Sequence, residues 1–520
     1  MSTMEEAESR KEPIALFMAF GTKGDVYPLA AIAAALARDQ PNYSVFLITH
    51  LAHENISSHL LKANVSYVPV TSPPAQSSES LGTHEDSARK LFTEEKERIK
   101  REHRKECRSA FGSIFGEGSC MEGDLVVINF FALVIGWSLA ELYQIRCVVA
   151  APYVVPYSPP SGFERQFRKE LPELYKYLKE APTGKVSWSD VTHWMWPLFT
   201  EEWGTWRSEE LNLSCYPFAD PVTDLPIWHI RPSSPLVLYG FSKEVVECPD
   251  YWPLSVRVCG FWFLPNEWQF SCNKCGDSPS SAGLLGTTDE SHACSNHTGL
   301  YAFVSDSLEP ALPIFVGLSS IGSMGFMKNP LAFLRVLQSV IQITGYRFIL
   351  LTAGYEPLEA AIRTIVQEPK RSLHEGVSIF NGKLFCFSGM VPYNWLFRRC
   401  AAAIHHGGSG STAAALHAGI PQIICPFMMD QFYWAEKMTW LGVAPQPLAR
   451  NQLLPEESND EESIMEAAQV VAKAVYDALS SKARASAMAI AETLSLEDGV
   501  SEAVRVLREE VCEVSAQQQT

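Results

Sequence analysis

AAAIHHGGSGSTAAALHAGIPQIICPFMMDQ, residues 401–431, is the stretch on which the fold turns. An apolar run ending at Ile404 feeds a glycine-rich turn (Gly407, Gly408, Gly410), then a helix from near Ser411 that Gly419 and Pro421 end. A second apolar run, PQIICPF, follows. Strand, turn, helix and strand make the repeating unit of a doubly wound α/β sheet, where ligands sit beyond the carboxyl ends of the strands. Glycines let backbone N–H groups approach an anion closely, and a helix N-terminus adds unpaired donors and partial positive charge. A phosphate fits such a place, with His406, Ser411 and Thr412 adding hydrogen bonds. A tight strand-to-helix turn with a serine cap would account for the glycines alone. The second half of the stretch adds ligand chemistry: Asp430 and Gln431, 24 residues beyond His406, set a carboxylate beside an amide. One accepts hydrogen bonds and the other donates and accepts, which suits neighbouring hydroxyls of a sugar. Phosphate cradle and hydroxyl clamp together read as a nucleotide-sugar site.

The same rhythm runs through the chain in two rounds. Short apolar runs at residues 13–21, 44–50, 66–70, 124–129 and 147–153 alternate with helical patterns, and a second set follows at 313–320, 346–354, 384–389, 401–406 and 421–427. These predict buried parallel strands in two doubly wound α/β domains. The expected division is residues 1–262, a linker or insertion at 263–310, and residues 311–520 with a helical tail. A cleft between the domains is the default active site. The mixed-charge run EEKERIKREHRKECR, ending at Arg108, reads as a solvated helix face.

At 520 residues, 47% hydrophobic and 19% charged, the chain can bury two sizeable cores. Its formal net charge of -17 argues against coating nucleic acid, which needs clustered Lys and Arg. The start, MSTMEEAESRKEP, carries no readable secretory signal, and no stretch approaches 18 uninterrupted apolar residues. With 13 scattered cysteines, this predicts a cytoplasmic protein with reduced thiols.

Residues 405–431 resemble the donor-binding signature of UDP-glycosyltransferases of the GT-B fold, in the version carried by sterol 3-beta-glucosyltransferases. That resemblance implies two Rossmann-like domains facing each other across a cleft. It also implies that His406, Gly408, Gly410, Ser411 and Thr412 hold the diphosphate and that Asp430 and Gln431 hold the hexose. Upstream, VPYNWLFRRCAAAIHH is similar to the family's Pro-x-x-Trp-Leu run, which would put Met390 and Val391 near the uracil. GLSSIGSMG, residues 317–325, resembles a Gly-Phe-Gly-Ser turn, so Ser320 would touch phosphate, although Ser319 stands where Gly is usual. At the other end, GTKGDVYP, residues 21–28, is similar to the Gly-Thr-Arg-Gly-Asp-Val-Gln-Pro segment of the sterol enzymes. It places Gly21, Thr22 and Gly24 at the donor side of the site and makes Asp25 the base that takes the acceptor's proton. Gly-Asp ahead of an apolar helix is also what a helix cap looks like, and the two roles are compatible. An ordinary Asp, with a pKa of about 3.9, is a weak base, so burial or a neighbour should raise it.

The family's ribose-binding Glu is replaced by Ala414, and its Phe-Gly ahead of Asp-Gln by Met428-Met429. Trp194, Trp196 and Trp203, in a Trp-rich segment of the first half, are candidates for an apolar acceptor or for a peripheral membrane contact. Cys272, Cys275, Cys294 and His297 have the spacing of a structural zinc site, with chance cysteines in a linker as the competing reading. The resemblance thus implies an inverting transferase that moves a hexose, glucose in the first instance, from a UDP-sugar to the hydroxyl of a sterol or related lipid. It needs no metal for chemistry. A different small apolar acceptor, or a catalytically weak binding or scaffold protein, are the alternatives.

Overall fold

The computed structural model of the chain describes residues 10, 12–73, 86–116, 120–153, 159–269, 297–305, 311–318, 320–368, 372–389, 391–455 and 461–512. The chain divides into two units. One comprises Met1–Ala75, Asp86–Phe263 and Asp498–Thr520; the other comprises Gln76–Glu85 and Leu264–Glu497.

In the first unit the described strands are β1 (Ile14–Met18), β2 (Ser44–His50), β3 (Val65–Val70), β4 (Leu125–Ile128), β5 (Arg146–Ala151), β6 (Val237–Tyr239) and β7 (Val256–Val258). They form one parallel sheet in the order β3-β2-β1-β4-β5-β6-β7. Every residue of β1 and β4 is buried, as expected of central strands covered on both faces. Helix α1 (Lys23–Asp39) follows β1. Helix α2 (Asp86–Phe115) carries the mixed-charge run, where Arg98 pairs with Glu95 and Glu102 on an exposed face, as a solvated helix face should.

The second unit holds β8 (Ile314–Gly317), β9 (Phe348–Leu351), β10 (Val377–Ile379), β11 (Leu384–Phe387), β12 (Ala402–His405) and β13 (Gln422–Ile424), ordered β10-β11-β9-β8-β12-β13. Only the edge pair β10 and β11 is antiparallel. Its core joins strand residues such as Val316, Leu350 and Ile404 to helical Leu337 and Val471. Helix α3 (Ser409–Ala418) follows β12, and α4 (Gln431–Trp440) follows β13.

In both sheets the strand order reverses beside the first strand of the unit, between β1 and β4 and between β8 and β12. Loops leaving the two strands at such a point diverge and open a crevice. The loops after β1 and β12, singled out from the sequence, both stand there.

The division differs from the sequence expectation at one end. Helix α5 (Gly499–Leu507) leaves residues 311–497 and packs against α1, burying Ala503, Val504, Val506 and Leu507. Gly499 makes this approach feasible, because a Cβ there would lie 2.4 Å from the carbonyl oxygen of Phe261. Arg508 then reaches Asp39 and Arg257 reaches Glu510. Within the expected linker, residues 297–305 are not a connector: the helix Thr298–Val304 belongs to the second unit, where Arg347 donates to the Phe303 carbonyl.

Candidate active site

The end of β12 is fixed by a histidine that binds nothing external. Gly407 N–H donates to His405 Nδ1 at 3.0 Å, so Nε2 carries the ring proton and donates to Gln422 Oε1 at 2.8 Å. Burial pushes the His405 pKa down to about 3 and keeps the ring neutral. Gly407, at φ +83, turns the chain, and a Cβ on it would sit 2.7 Å from Ile424 Cγ2. Gly408 is the N-cap of α3 and offers no side-chain cap; no acidic residue lies in the first turn. A Cβ on Gly408 would lie 2.5 Å from His406 Nε2, so only glycine leaves that ring its place.

Two polar atoms at this turn are buried without a partner: His406 Nδ1 and Thr412 Oγ1. Each such group costs about 1–3 kcal/mol unless something arrives to pair with it. Burial lowers the His406 pKa to about 4, so the ring offers hydrogen bonding rather than charge. Uncapped helix donors, a close glycine backbone and two orphaned side-chain atoms together form an anion cradle.

Asp430 and Gln431 sit beside the same strand ends, but part of their hydrogen-bonding capacity is spent within the protein. Gln431 Oε1 accepts from Phe427 N–H at 2.8 Å and Met428 N–H at 3.1 Å, and Asp430 Oδ2 accepts from Trp434 Nε1 at 3.1 Å. Gln431 therefore presents its NH₂ end, not the donor-and-acceptor pair read from sequence. Val391 is buried, and Asn394, three residues on, has its amide oxygen buried without a partner. Nothing in the sequence marked Asn394 except its place in the Pro-x-x-Trp-Leu run. Ser320 begins a short helix, Ser320–Ser323, after β8; Ser319 and Met390 lie outside the described residues.

In the first unit, Thr22 is the N-cap of α1 and Asp25 its third helical residue. Asp25 Oδ2 accepts from Thr22 N–H at 2.7 Å and Thr22 Oγ1 at 2.8 Å, so the carboxylate does cap the helix. Burial outweighs those two bonds and pushes its pKa up to about 6. Most of the carboxylate is still ionised at pH 7, with a basicity suited to general-base work. Gly21, at φ +108, allows the carboxylate to fold back: a Cβ on it would lie 2.6 Å from Asp25 Oδ2. Buried Asn129, at the end of β4, exchanges hydrogen bonds with the Phe20 backbone and reaches the Asp25 carbonyl, tying together the loops on either side of the switch point. The sequence showed Asn129 only as the last residue of a strand.

Residues 372–494 match the family described as erythromycin biosynthesis protein CIII-like, C-terminal domain. The chain is 24% identical over 437 residues to a sterol 3-beta-glucosyltransferase of Leptosphaeria maculans, covering 83% of this chain and 25% of that protein. It is 23% identical over 491 residues to one of Arabidopsis thaliana, covering 93% and 66%. The chain thus spans about a quarter of the fungal relative's length. Among solved structures, the calicheamicin glycosyltransferase CalG4 superposes with a TM-score of 0.56 at 15% identity, over 96% of this chain and 98% of the other. A UDP-glucosyltransferase from Polygonum tinctorium gives 0.53 at 13% identity, over 98% and 100%. The chain is similar to sterol 3-beta-glucosyltransferases and has the GT-B fold.

Against that GT-B background, the acceptor candidates need revision. Trp194 is fully buried, edge-on to Trp137 at 5.6 Å, and belongs to the core rather than to any surface an acceptor could touch. Trp196 and Trp203 are half-buried, the latter beneath the Arg104 guanidinium at 4.4 Å. The exposed apolar side chains near Asp25 are different ones: Leu51 (43% exposed), two residues from buried His53, and Phe131 (44%), whose ring would lie 2.9 Å from a Cβ on Gly21. Large apolar residues left exposed at strand ends could have signalled them, but only once the register of β2 and β4 was known. Of the zinc candidates, Cys272, Cys275 and Cys294 lie outside the described residues, while His297 is buried against Phe387. Among the described residues no helix is long and apolar enough to cross a membrane.

Proposed function

We propose that the chain transfers a hexose, glucose in the first instance, from a UDP-sugar to the hydroxyl of a sterol or related lipid, with inversion at the anomeric carbon. The observation that carries this reading is the cradle at the start of α3, where His406 Nδ1 and Thr412 Oγ1 are buried with no partner beside an uncapped helix N-terminus. A diphosphate would supply the missing partners and accept the helix donors. Gly408, Gly410 and Ser411 would contribute backbone and hydroxyl contacts to it, and Ser320 a further one. Asp430 and the Gln431 NH₂ would hold the sugar hydroxyls, with Val391 near the base.

The acceptor hydroxyl would give its proton to Asp25 as its oxygen forms a bond to the anomeric carbon. The bond from that carbon to the diphosphate breaks, and UDP leaves with the electron pair. Charge developing on UDP would be met by α3, so the step as drawn draws on no divalent metal. Leu51 and Phe131 would give the acceptor an apolar rim beside Asp25. The names of the relatives support a sterol, as does this rim. A lipid acceptor would also bring the protein to membrane surfaces from the cytoplasmic side.

Incubation of the purified chain with UDP-glucose and a panel of sterols, reading UDP release and glycolipid product, tests the reading. Sterol glucoside is the expected product. Turnover only with a non-sterol acceptor would replace the acceptor, and UDP binding with no turnover on any acceptor would make the chain a binding protein.

A further inference from the structure

His53 lies in the turn Leu51–Ile56 that follows β2, 5% exposed, with backbone angles (φ −103, ψ 17) that break the helical run around it. Such angles fall in the sparsely populated bridge region, common among active-site residues. Its Nε2 is 3.1 Å from the carbonyl oxygen of Gly21. A carbonyl only accepts, so Nε2 carries the proton. The other nitrogen, Nδ1, is buried without a partner, and burial holds the ring neutral, with a pKa lowered to about 4. The ring is therefore committed to one donated bond, and the Gly21 carbonyl receives it.

That carbonyl is half of one peptide group. The other half is the Thr22 N–H, which donates to Asp25 Oδ2 at 2.7 Å. We propose that His53 is a positioning residue for Asp25, acting through the single peptide plane between Gly21 and Thr22; the proposal rests on the reading of Asp25 as the base. Gly21 has no side chain to restrict rotation of this plane, and its φ of +108 lies where other residues are strained. Something else must fix the direction of the N–H, and His53 does so from the far side of the amide. A donor on the carbonyl also polarises the amide, strengthening its N–H as a donor by roughly 10–30%. The turn bearing His53 is itself anchored to α1, since Asn55 Nδ2 donates to the Tyr27 hydroxyl at 2.9 Å.

The titratable groups around this relay are Lys23 and Tyr27 on α1, His50 at the end of β2, and His103 and Glu106 on α2. His50 stacks on His103 at 5.3 Å, and burial lowers the pKa of both rings. At neutral pH the His50 and His103 rings are neutral and the Glu106 carboxylate, on the far side of them, is held ionised by its hydrogen bonds to Thr71 and Ser72, so loss of His53 is expected to act on Asp25 without introducing a second titration.

The test uses the full chain with ¹³C-labelled Asp carboxyls and compares wild type, His53→Gln and His53→Asn. Glutamine places an amide N–H₂ where Nε2 stands, whereas asparagine is too short to reach the Gly21 carbonyl but keeps a polar group in the turn. Expected is an upward move of the Asp25 titration by about half to one pH unit in His53→Asn, because the carboxylate loses support for its charged form. His53→Gln should return it to within about 0.2 unit of wild type. With substrates, the acid limb of kcat should move by the same amount while KM for UDP-sugar stays put. An Asp25 titration that is the same in all three proteins, or that moves equally in both variants, overturns the proposal. Unfolding of His53→Asn with an intact, wild-type-like His53→Gln still supports it, since only the Nε2-equivalent donor is then tolerated. The titration needs no turnover, so it stands apart from the base assignment, which fails separately if Asp25→Asn keeps full activity.

Discussion

The turn after β1 and the turn after β12 are built alike and charged in opposite ways. Each leaves a central strand at a switch point, turns through a glycine with positive φ (Gly21, Gly407), and enters a helix whose N-cap is Thr22 or Gly408. Counted from those caps, Asp25 and Ser411 occupy the same third helical position. In the first unit that position holds a carboxylate that folds back onto the helix N-terminus, so the local field is met from within. In the second unit the position is a serine, the first turn has no acid, and two buried side-chain atoms wait unpaired. One turn keeps its own anion; the other leaves room for an anion from outside. In a chain of net charge -17, the donor proposed above would be held best at a helix start kept free of acids.

The largest effect should come from removing the built-in anion. Asp25→Asn is expected to lower turnover at least about a thousandfold while leaving UDP affinity, measured by calorimetry, within about twofold of wild type. The same group sets pH dependence. Turnover should fall as pH drops through about 6, where Asp25 protonates. Stability moves the other way: with the folded pKa raised above the unfolded value, burial of the charge costs stability above about 6, and this cost disappears toward pH 4. Asp25→Asn should therefore raise Tm at pH 7.5 and leave it unchanged at pH 4. Full activity of the variant would end the base assignment.

Next in size is the exchange that makes the second turn imitate the first. Ser411→Asp places a carboxylate at the same helical position as Asp25, where it can cap α3. Expected is a loss of UDP affinity of about 100-fold or more through like-charge repulsion, with Tm unchanged or higher. If Ser411→Asp binds UDP as well as wild type, the diphosphate does not sit at α3.

Much of this contrast was legible before any coordinates. Buried strands announce themselves as apolar runs, and glycine-rich turns followed by small residues mark helix starts, so the ten expected strands all form. Short elements at or next to a sheet edge, such as β6, β7 and β10, with three residues each, carry too little pattern to stand out. The turns that carry Asp25 and His406 were readable because turn chemistry is local. The settings of His53 and Asn129 were not, because they depend on which backbone groups another strand end delivers to them, and neither was the buried amide oxygen of Asn394. Trp194 misled for a related reason: Trp spacing reports apolar character but not the side of the sheet to which the ring turns. Only the end of the tail, from Asp498, joins the first unit rather than the second, because the partner of α5 lies some 460 residues earlier in the chain.

The smallest effect tests strain in the neighbouring turn, between β13 and α4. Gly21 and Gly407 adopt positive φ at no steric cost, but Met429, next to Asp430, stands at φ +55 where the resembled family carries Gly. A non-glycine residue there costs about 1–2 kcal/mol. Glycine would remove that cost but make the unfolded chain freer by about 0.5–1 kcal/mol, so the net gain is about 1 kcal/mol at most. Met429 is 40% exposed, so little buried apolar area is lost with its side chain. Met429→Gly should accordingly raise Tm by about 2–4 °C, read by calorimetry. It should also leave UDP affinity unchanged, since the proposed diphosphate cradle is at α3 and not at this turn. A fall in Tm would mean that the methionine side chain contributes packing that outweighs its backbone strain, and that the departure from glycine at this turn is a compensated feature rather than a tolerated one.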